Sequence, residues 1–351
     1  MAAPPGGGAG ARATVRLGTH LSPGPGLAGI RPLRTATTAG AALASIARLP
    51  GRRFPVKGWS LVTERLHPHI ARGLSEATYR TPYGVTLHLD LEDYTQRTIF
   101  YDAFEVEELN FLCRMLSSGD VLLDVGAGAD GIFTLVGAKA VGAGGEVHAF
   151  EPVPSNFERL TENIALNDLR NVRANRMAAG AKHGSITLAL TEDMAQASGR
   201  AMSGFYTVGS GLRQASSPLV ALDTYLAERL PGRQVRVLKM DIEGYEPAAM
   251  AGLASTLRSR RVDVVMTEVN VYNLARQGFG IADVVRPLAG AGYTLHRLGT
   301  LGRLRPWSYA GEPTILPRRT GPTGLVRNVY MGLQDLRRNF NLIALRRQPG
   351  P

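Results

Sequence analysis

The residues with the clearest potential for chemistry lie in the stretch VLLDVGAGADG, residues 121–131. Gly126, Gly128 and Gly131 follow an apolar run with the spacing G-x-G-x-x-G, which is typical of a loop that binds a nucleotide cofactor after a strand. Asp124 precedes the first glycine by two positions. The sequence therefore predicts a nucleotide site that has a carboxylate close to its glycines.

The carboxylates distinguish between two classes of cofactor. Glu151, which follows the apolar run at 146–150, is placed to accept hydrogen bonds from both ribose hydroxyls, at about 1.5–3 kcal/mol each. NAD and S-adenosylmethionine share that ribose. NAD also carries a pyrophosphate, which carboxylates repel, whereas S-adenosylmethionine carries a sulfonium and an ammonium group. Asp124 and Asp130 in the loop, with Asp241 after a later strand, therefore favour S-adenosylmethionine.

These residues depend on an alternation of strands and helices. The predicted strands are 121–125, 146–150, 171–175, 185–190 (an edge hairpin), 218–222, 235–240, 262–269 and 293–298. The predicted helices are 105–116, 132–140, one that begins at a capping box of Ser155 and Glu158, 224–230 with Asp223 as its N-cap, and one that opens at Pro247. Residues 193–217 are predicted to cross the surface. The alternation predicts an α/β fold, a doubly wound, mostly parallel Rossmann-like sheet with flanking helices, which binds ligands where the strand order reverses.

Three segments resemble the FkbM family of S-adenosylmethionine-dependent methyltransferases: DVGAGADGIFTL, AFEPVPSNFERLTENIALN and LKMDIEGYEPAAMAG. The resemblance covers residues 98–298, and its most specific part is the run that starts at Asp241. It implies that Pro152 joins Glu151 at the cofactor, and it puts Glu105 at the place of the family's lead-in glutamate. The glycine loop is one residue longer than the family's usual Gly-Ala-Asn-x-Gly. The family implies methylation of a hydroxyl on a sugar, glycolipid or polyketide-type product.

Methyl transfer to a hydroxyl needs alignment and a base. Holding the acceptor in line with the methyl group supplies much of the rate, and a positioned base adds about 10²–10⁴-fold. Asp241 and Glu243 follow one strand and Glu268 ends its neighbour. We favour Asp241 as the base or as a cofactor contact, with Glu243 second; the alternative is that Glu243 forms a structural turn before Pro247. A divalent metal on these three carboxylates is conceivable, but nothing in the spacing demands one, and we predict none.

Charge is distributed unevenly along the 351 residues, whose formal net charge is +11. Residues 1–63 carry eight Lys or Arg and no acidic residue, and 297–351 carry ten against two. The rest has 22 basic and 27 acidic residues, a net charge of −5, which does not indicate a nucleic-acid-binding fold. We expect a disordered or targeting leader (1–58), an N-terminal cap (59–110), a cofactor-binding methyltransferase domain (111–298) and a basic tail (299–351).

The two ends suggest where the protein acts. The one cysteine, Cys113, excludes an internal disulfide and suits a reducing compartment. We predict a cytoplasmic protein, or an organellar one if the acid-free leader is a transit peptide. In the tail, residues 326–346 form a predicted basic amphipathic helix that packs on its own domain or lies on a membrane surface.

Three functions follow from these patterns. The first is a methyltransferase that acts on a small-molecule or glycan hydroxyl, with no nucleic-acid partner. The second is an NAD-dependent oxidoreductase, which the glycine spacing allows but Asp124 disfavours. The third is a non-catalytic scaffold whose basic ends bind anionic surfaces. His148, inside a strand, is predicted to be a buried, hydrogen-bonded residue rather than a catalyst.

Overall fold

The computed structural model describes residues 46–48, 59–70, 74–190, 213–299, 302–311 and 339–346. The helices are α1 (Trp59–Ile70), α2 (Tyr94–Phe100), α3 (Val106–Met115), α4 (Ile132–Val141), α5 (Pro154–Leu166), α6 (Leu222–Arg229), α7 (Glu246–Ala251), α8 (Ala254–Arg258), α9 (Val271–Arg276) and α10 (Ile281–Gly290). The strands are β1 (Glu76–Arg80), β2 (Thr86–Asp90), β3 (Val121–Val125), β4 (Glu146–Phe150), β5 (Val172–Asn175), β6 (Ala178–Ala179), β7 (Gly184–Leu190), β8 (Arg213–Val220), β9 (Val235–Met240), β10 (Val262–Asn270), β11 (Tyr293–Leu298), β12 (Leu304–Pro306) and β13 (Asn339–Arg346).

The central sheet has the strand order β5-β4-β3-β9-β10-β13-β11-β12. Within it, β5, β4, β3, β9 and β10 pair in parallel, and β13 runs antiparallel to both β10 and β11. After β3 the chain adds β4 and β5 on one side, and β9 returns to the other side of β3. The strand order therefore reverses between β3 and β9, which confirms the predicted doubly wound sheet and its crevice.

Alternation along the strands explains the two layers of helices. Leu122, Val237 and Val264 belong to one apolar cluster with Leu112 of α3. Their neighbours one position along, beginning with Leu123, belong to a second cluster on the opposite face with α6, α7 and α10. Because successive side chains of a strand point to opposite faces, strands buried on both faces are continuously apolar. The same alternation decides which residues at the strand ends share a face.

The predicted amphipathic helix at 326–346 is wrong over its last eight residues. Asn339–Arg346 is β13, which pairs with β10 along seven residues and with β11 along five. Its centre, Leu342, Ile343 and Ala344, is fully buried, which a one-sided helical stripe does not allow. The sheet therefore extends beyond residue 298, and the rest of the predicted helix, 326–338, lies outside the described residues.

Two predicted helix caps are also wrong. The N-cap of α5 is Val153, without a side-chain hydrogen bond, so Ser155 lies inside the first turn. The N-cap of α6 is Ala221. Asp223 lies within α6 and accepts hydrogen bonds of 2.8 Å from two backbone N–H groups in the first turn of α8. Its carboxylate joins two helices instead of capping its own.

The segment between the two halves of the sheet differs from the prediction as well. Residues 213–217, predicted as part of a surface excursion, belong to β8, which ends at Val220 and pairs with β7 and β6 in a separate three-stranded sheet. Residues 193–212 of that excursion lie outside the described residues. The single helix predicted from Pro247 is the pair α7 and α8.

The β1–β2 hairpin docks against the glycine-loop region through side-chain amides of α5. The Oδ1 atoms of Asn163 and Asn167 accept hydrogen bonds of 2.7 Å from the backbone N–H groups of His88 and Thr86. Asn163 Nδ2 also donates to the carbonyl oxygen of Asp130, at 3.1 Å. The Asn163 side chain therefore connects both the hairpin and the glycine loop to α5.

None of the helices in the described part of the chain is long and apolar enough to cross a membrane.

Candidate functional site

A separate physical reason explains why each of three positions in the loop after β3 is a glycine. Their φ angles are +86° at Gly126, +71° at Gly128 and +65° at Gly131, a region that side chains rarely adopt. A Cβ on Gly126 would lie 1.9 Å from the carbonyl oxygen of Asp241, and one on Gly131 would lie 2.3 Å from Cδ1 of Leu160. A Cβ on Gly128 would meet no atom closer than 3.8 Å. Gly126 and Gly131 thus permit close packing, whereas Gly128 leaves open space at the loop.

Asp124 lies on β3 below this loop and is fully buried. Its Oδ2 accepts a hydrogen bond of 2.6 Å from the Thr134 hydroxyl. Its Oδ1 has no hydrogen-bond partner, and the ammonium of Lys239 lies 3.9 Å from it. Burial raises the pKa of Asp124, while Lys239 opposes that rise. One buried carboxylate oxygen therefore faces the site without a donor.

Lys239 places an ammonium group between the strands β3 and β9. Its Nζ lies 3.5 Å from Oδ2 of Asp241, 3.4 Å from the carbonyl oxygen of Gly126 and 4.7 Å from the centre of the Phe133 ring. Burial acts to lower the pKa of Lys239, but the charges of Asp241 and Asp124 outweigh it and raise the pKa above its ordinary value. The group is therefore a permanent cation in the site.

Glu151, directly after β4, is nearly buried and holds the glycine loop. Its Oε2 accepts a hydrogen bond of 3.0 Å from the N–H of Gly128, and its Oε1 accepts one of 2.9 Å from Val153. Burial raises its pKa to about 7. In the loop, Asp130 Oδ1 accepts a bond of 2.9 Å from the N–H of Ile132, and burial raises its pKa to about 6. Both carboxylates thus support the loop backbone.

A small, mostly apolar cleft opens beside the glycine loop. It lies at the carboxyl ends of β3, β4 and β9, next to the point where the strand order reverses. Its lining includes Gly126, Pro152, Met177, Ala178, Ile242 and Tyr245. The cleft therefore joins the loop after β3 to the residues that follow the two neighbouring strands.

The turn after β9 is packed against α9. Glu243 has a positive φ of 55°, and its carboxylate accepts a hydrogen bond from Asn273 Nδ2. A Cβ on Gly244 would lie 2.4 Å from the Asn273 carbonyl oxygen. Glu246 Oε1 accepts a bond of 2.9 Å from the N–H of Ile242. Burial, with nearby carboxylates, raises the pKa of Glu243 to about 8; these contacts fit the alternative that Glu243 supports a structural turn.

A second group of carboxylates meets where β10 and β13 approach the start of α3. Glu268 is registered with Asn341 of β13, whose Nδ2 donates a hydrogen bond of 2.7 Å to Glu108. Burial and the charge of Asp241 raise the pKa of Glu268 well above its usual value. Burial, with Glu108 and Asp241, does the same for Glu105. Carboxylates from β9, β10 and α3 therefore face one another.

The structure brings most of the predicted site residues to one edge of the sheet. Hydrogen bonds, the salt bridges of Lys239 and the shared cleft connect Asp124, Gly126, Gly128, Glu151, Pro152 and Asp241. Asp130 lies in the same loop and accepts a hydrogen bond from Ile132. Glu243 lies in the adjoining turn and is bonded to Asn273. Their individual roles stay predictions.

Sequence reasoning did not assign a role to Lys239. The signal was the lysine near the end of the apolar strand VRVLKM, two residues before Asp241. Because Lys239 offsets one negative charge, the site is less acidic than its carboxylates alone indicate.

His148 and a metal site were the two remaining possibilities in the sequence. His148 is buried on β4, and its Nδ1 lies 2.7 Å from the Tyr225 hydroxyl, which confirms that it is a hydrogen-bonded core residue. Within the described residues, no cluster of His, Cys, Asp and Glu has a geometry that could hold a metal ion.

Several solved structures are similar to this chain. An FkbM methyltransferase from Methylobacillus flagellatus KT is 14% identical, with 72% of this chain and 55% of that chain covered and a TM-score of 0.37. An S-adenosylmethionine-dependent O-methyltransferase from Thermotoga maritima is 14% identical, with 70% and 68% covered and a TM-score of 0.33. An rRNA methylase from Streptococcus thermophilus is 10% identical, with 69% and 95% covered and a TM-score of 0.34. At these identities and TM-scores, the similarities do not identify the methyl acceptor.

A comparison of the sequence with protein families identifies the family of this domain. No curated protein matches the chain. Residues 124–295 match the model described as the methyltransferase FkbM domain, which covers the glycine loop and the strands from β4 to β10. Residues 124–295 therefore form a methyltransferase domain of the FkbM family, a family that uses S-adenosylmethionine.

Proposed function

We propose that this protein transfers a methyl group from S-adenosylmethionine to a hydroxyl of a sugar, glycolipid or polyketide-type metabolite. S-adenosylmethionine supplies a methyl group on a positively charged sulfur. The observation that carries the proposal is the charge balance at the carboxyl edge of the sheet. Lys239 is the one cation among the carboxylates of Asp124, Glu151, Asp241 and Glu268 in the described part of the site.

The adenosine part of the cofactor fits the β4 side of the site. Glu151 follows β4 and each of its oxygens accepts one backbone hydrogen bond, which leaves further lone pairs for ribose hydroxyls. The apolar cleft beside Pro152 and Met177 offers a surface for a flat ring. Gly128 adds open space at the loop backbone. These features support Glu151, Pro152 and Gly128 as cofactor contacts.

The cationic part of the cofactor fits the β3–β9 side. Asp124 Oδ1 is buried without a hydrogen bond, and the Asp241 carboxylate is partly exposed beside it. A bound cation stabilises such carboxylates, whereas the pyrophosphate of NAD would meet them with like charge. The charge of the site therefore supports S-adenosylmethionine and disfavours a dinucleotide.

Ligand-dependent thermal stability tests the cofactor. The full-length protein is heated with S-adenosylmethionine, S-adenosylhomocysteine or NAD⁺ in turn, and a ligand at 100 times its Kd should stabilise the fold by about 2.7 kcal/mol. We expect stabilisation by the first two ligands only. Glu151→Gln and Asp241→Asn should weaken it, because each removes a charge and keeps the side chain's shape.

Glu162→Gln is the matched control, since this glutamate is 62% exposed on α5. It should respond to each ligand as the unaltered protein does. Stabilisation by NAD⁺ alone would favour the oxidoreductase alternative. The absence of any stabilisation would contradict the proposed cofactor and favour a binding scaffold.

A further inference from the structure

We infer that Glu268 is the catalytic base and that the carboxyl edge of β10 and β13 binds an uncharged, polyhydroxylated acceptor. The inference rests on the proposed methyl transfer and goes beyond it, because it names the acceptor side of the site and the group that takes the proton. It follows from the register of the sheet, from the contacts of each carboxylate and from the charges around α3.

The register of the sheet brings Glu268 beside Asp241. Lys239 pairs with Met266, and Met240 pairs with Thr267, so Asp241 and Glu268 are the next residues of two adjacent parallel strands. Met266 packs in the apolar cluster that contains α3. Because side chains alternate along a strand, Glu268, two residues further on, lies on that same face.

Asn341 marks the same face on the next strand. It pairs directly with Glu268 and reaches Glu108 of α3 with its side-chain amide, at 2.7 Å. Glu268 therefore faces the start of α3, where Glu105 raises the pKa of Glu268 by its charge. The cofactor residues lie on the other side of Asp241, at β3 and β4. Asp241 thus separates the cofactor side from an acceptor side.

Most carboxylates of the site are held by other residues of the protein, and Glu268 differs from them. Asp124 is bonded to a threonine, Glu151 to two backbone N–H groups and Glu243 to an asparagine. Asp241 forms a salt bridge with Lys239. Among the described residues, nothing forms a hydrogen bond or salt bridge with the Glu268 side chain. Its oxygens are therefore available to a ligand.

The charge around Glu268 indicates the class of acceptor. The charges of Asp241, Glu243, Glu105 and Glu246 all act on Glu268 in the same sense, and each raises its pKa. The Lys239 ammonium is held by Asp241 and Asp124 on the cofactor side. In their ionised forms these carboxylates would repel a phosphate, a uronic acid or an RNA strand. Carboxylates accept hydrogen bonds but do not donate them when ionised, so a neutral compound rich in hydroxyl donors fits.

Methyl transfer to the acceptor forms one bond, breaks another and releases a proton. The acceptor oxygen forms its bond to the methyl carbon while the carbon–sulfur bond breaks, and that electron pair stays on sulfur and neutralises it. The hydroxyl proton goes to the Glu268 carboxylate. Burial and the charges of Asp241, Glu243, Glu105 and Glu246 raise the pKa of Glu268, which makes its ionised form a stronger proton acceptor.

The test combines turnover with a binding measurement. The full-length protein is given S-adenosylmethionine and a panel of methyl glycosides of neutral hexoses and deoxyhexoses, beside methyl glucuronides and a short RNA, and S-adenosylhomocysteine formation is followed by mass spectrometry. We expect product from neutral glycosides only. Glu268→Gln should lower that rate about 10²–10⁴-fold and leave the Kd for S-adenosylhomocysteine, measured by calorimetry, within twofold.

Two further variants make the result specific. Glu268→Asp keeps a carboxylate and should retain more activity than Glu268→Gln, and it serves if the glutamine variant folds poorly. Glu162→Gln, the exposed control on α5, should match the unaltered protein in both measurements.

Three results would overturn the inference: activity of Glu268→Gln within threefold of normal, loss of S-adenosylhomocysteine binding in that variant, or product only from the anionic acceptors or from none. The last result with S-adenosylhomocysteine still bound overturns the acceptor class and leaves the cofactor standing. Failure of the unaltered protein to bind S-adenosylhomocysteine instead contradicts the proposed function.

Discussion

At the scale of single residues, two glycines share a backbone conformation and differ in their surroundings. Gly128 and Gly119 have φ angles of +71° and +91°, and no atom lies closer than 3.8 Å to a Cβ built on either. An alanine in this region costs about 1–2 kcal/mol. We therefore expect Gly128→Ala and Gly119→Ala to lower the free energy of unfolding by similar amounts, measured by urea denaturation.

Their effects on the ligand should differ. The Gly128 N–H donates a hydrogen bond to Glu151 beside the cleft. Gly119 lies in the turn before β3, at the end of β3 that is opposite to the glycine loop. Gly128→Ala should weaken S-adenosylhomocysteine binding at least tenfold in calorimetry, and Gly119→Ala should not. Equal affinities in the two variants would show that the loop backbone is not close to the ligand.

The buried Lys239 gives a second prediction at this scale. Removing one partner of a buried ion pair leaves the other charge uncompensated, at a cost of about 3–5 kcal/mol. Lys239→Met should therefore lower the free energy of unfolding by about that much, and adding Asp124→Asn should restore part of it. Lys182→Met, at an exposed turn, is the control for urea denaturation. Without recovery in the double variant, the loss would come from packing of the lysine stem.

The position of a site residue could be predicted only where a single element determines it. Asp124, Glu151 and Asp241 are recognisable because each lies at the carboxyl end of a readable strand. That Gly126 contacts the Asp241 carbonyl, and that Lys239 lies between two carboxylates, depends on the pairing of β3 with β9. These strands are more than a hundred residues apart, so a local pattern does not contain the contact.

At the scale of elements, β13 provides the sharpest test of the fold. Leu342 lies in the segment predicted as an amphipathic helix, yet it is fully buried at the centre of β13. Truncating a buried leucine to alanine costs about 2–5 kcal/mol. Leu342→Ala should therefore lower the free energy of unfolding by that amount, measured by urea denaturation.

Leu166→Ala is the matched control, because this leucine is 45% exposed at the end of α5. It should change the free energy of unfolding by less than about 1 kcal/mol. A similar small effect at Leu342 would contradict the strand and return 339–346 to a surface helix.

Strands with unambiguous flanks were predicted well, and β13 shows why others were not. The bounds of β3, β4, β9 and β11 agree with the prediction at both ends, because turn residues or charged residues flank short apolar runs. The run NLIAL in β13 follows a segment with helical spacing, and a short apolar run fits either period. Its place between β10 and β11 is a tertiary property, since both neighbours supply its hydrogen bonds.

At the scale of the whole molecule, the sheet gathers carboxylates from distant parts of the chain, and folding therefore binds protons. The pKa of Glu151 rises to about 7 through burial, so between about pH 4.5 and 7 the folded protein holds a proton that the unfolded chain has lost. The free energy of unfolding should fall across that range for this group. His67 and His148, whose pKa values burial lowers, act in the opposite sense, so a variant must isolate Glu151.

Glu151→Gln isolates it, because glutamine does not titrate. Relative to the unaltered protein, this variant should gain stability as the pH rises from 5 to 8, by up to about 3 kcal/mol. Urea denaturation at four pH values measures the difference. A difference that stays constant with pH would mean that Glu151 is ionised throughout.

The same linkage connects the protonation of Glu151 to the ligand. Ribose hydroxyls that donate to its carboxylate favour the ionised form, so S-adenosylhomocysteine should bind more tightly at pH 8 than at pH 6 and should release protons on binding near pH 7. Calorimetry in two buffers of different ionisation enthalpy counts those protons. Glu151→Gln should bind with an affinity that varies less with pH. If both proteins show the same pH dependence, the titrating group is another carboxylate and the ribose lies elsewhere; a change confined to the unaltered protein assigns the ribose to the carboxylate that also holds Gly128.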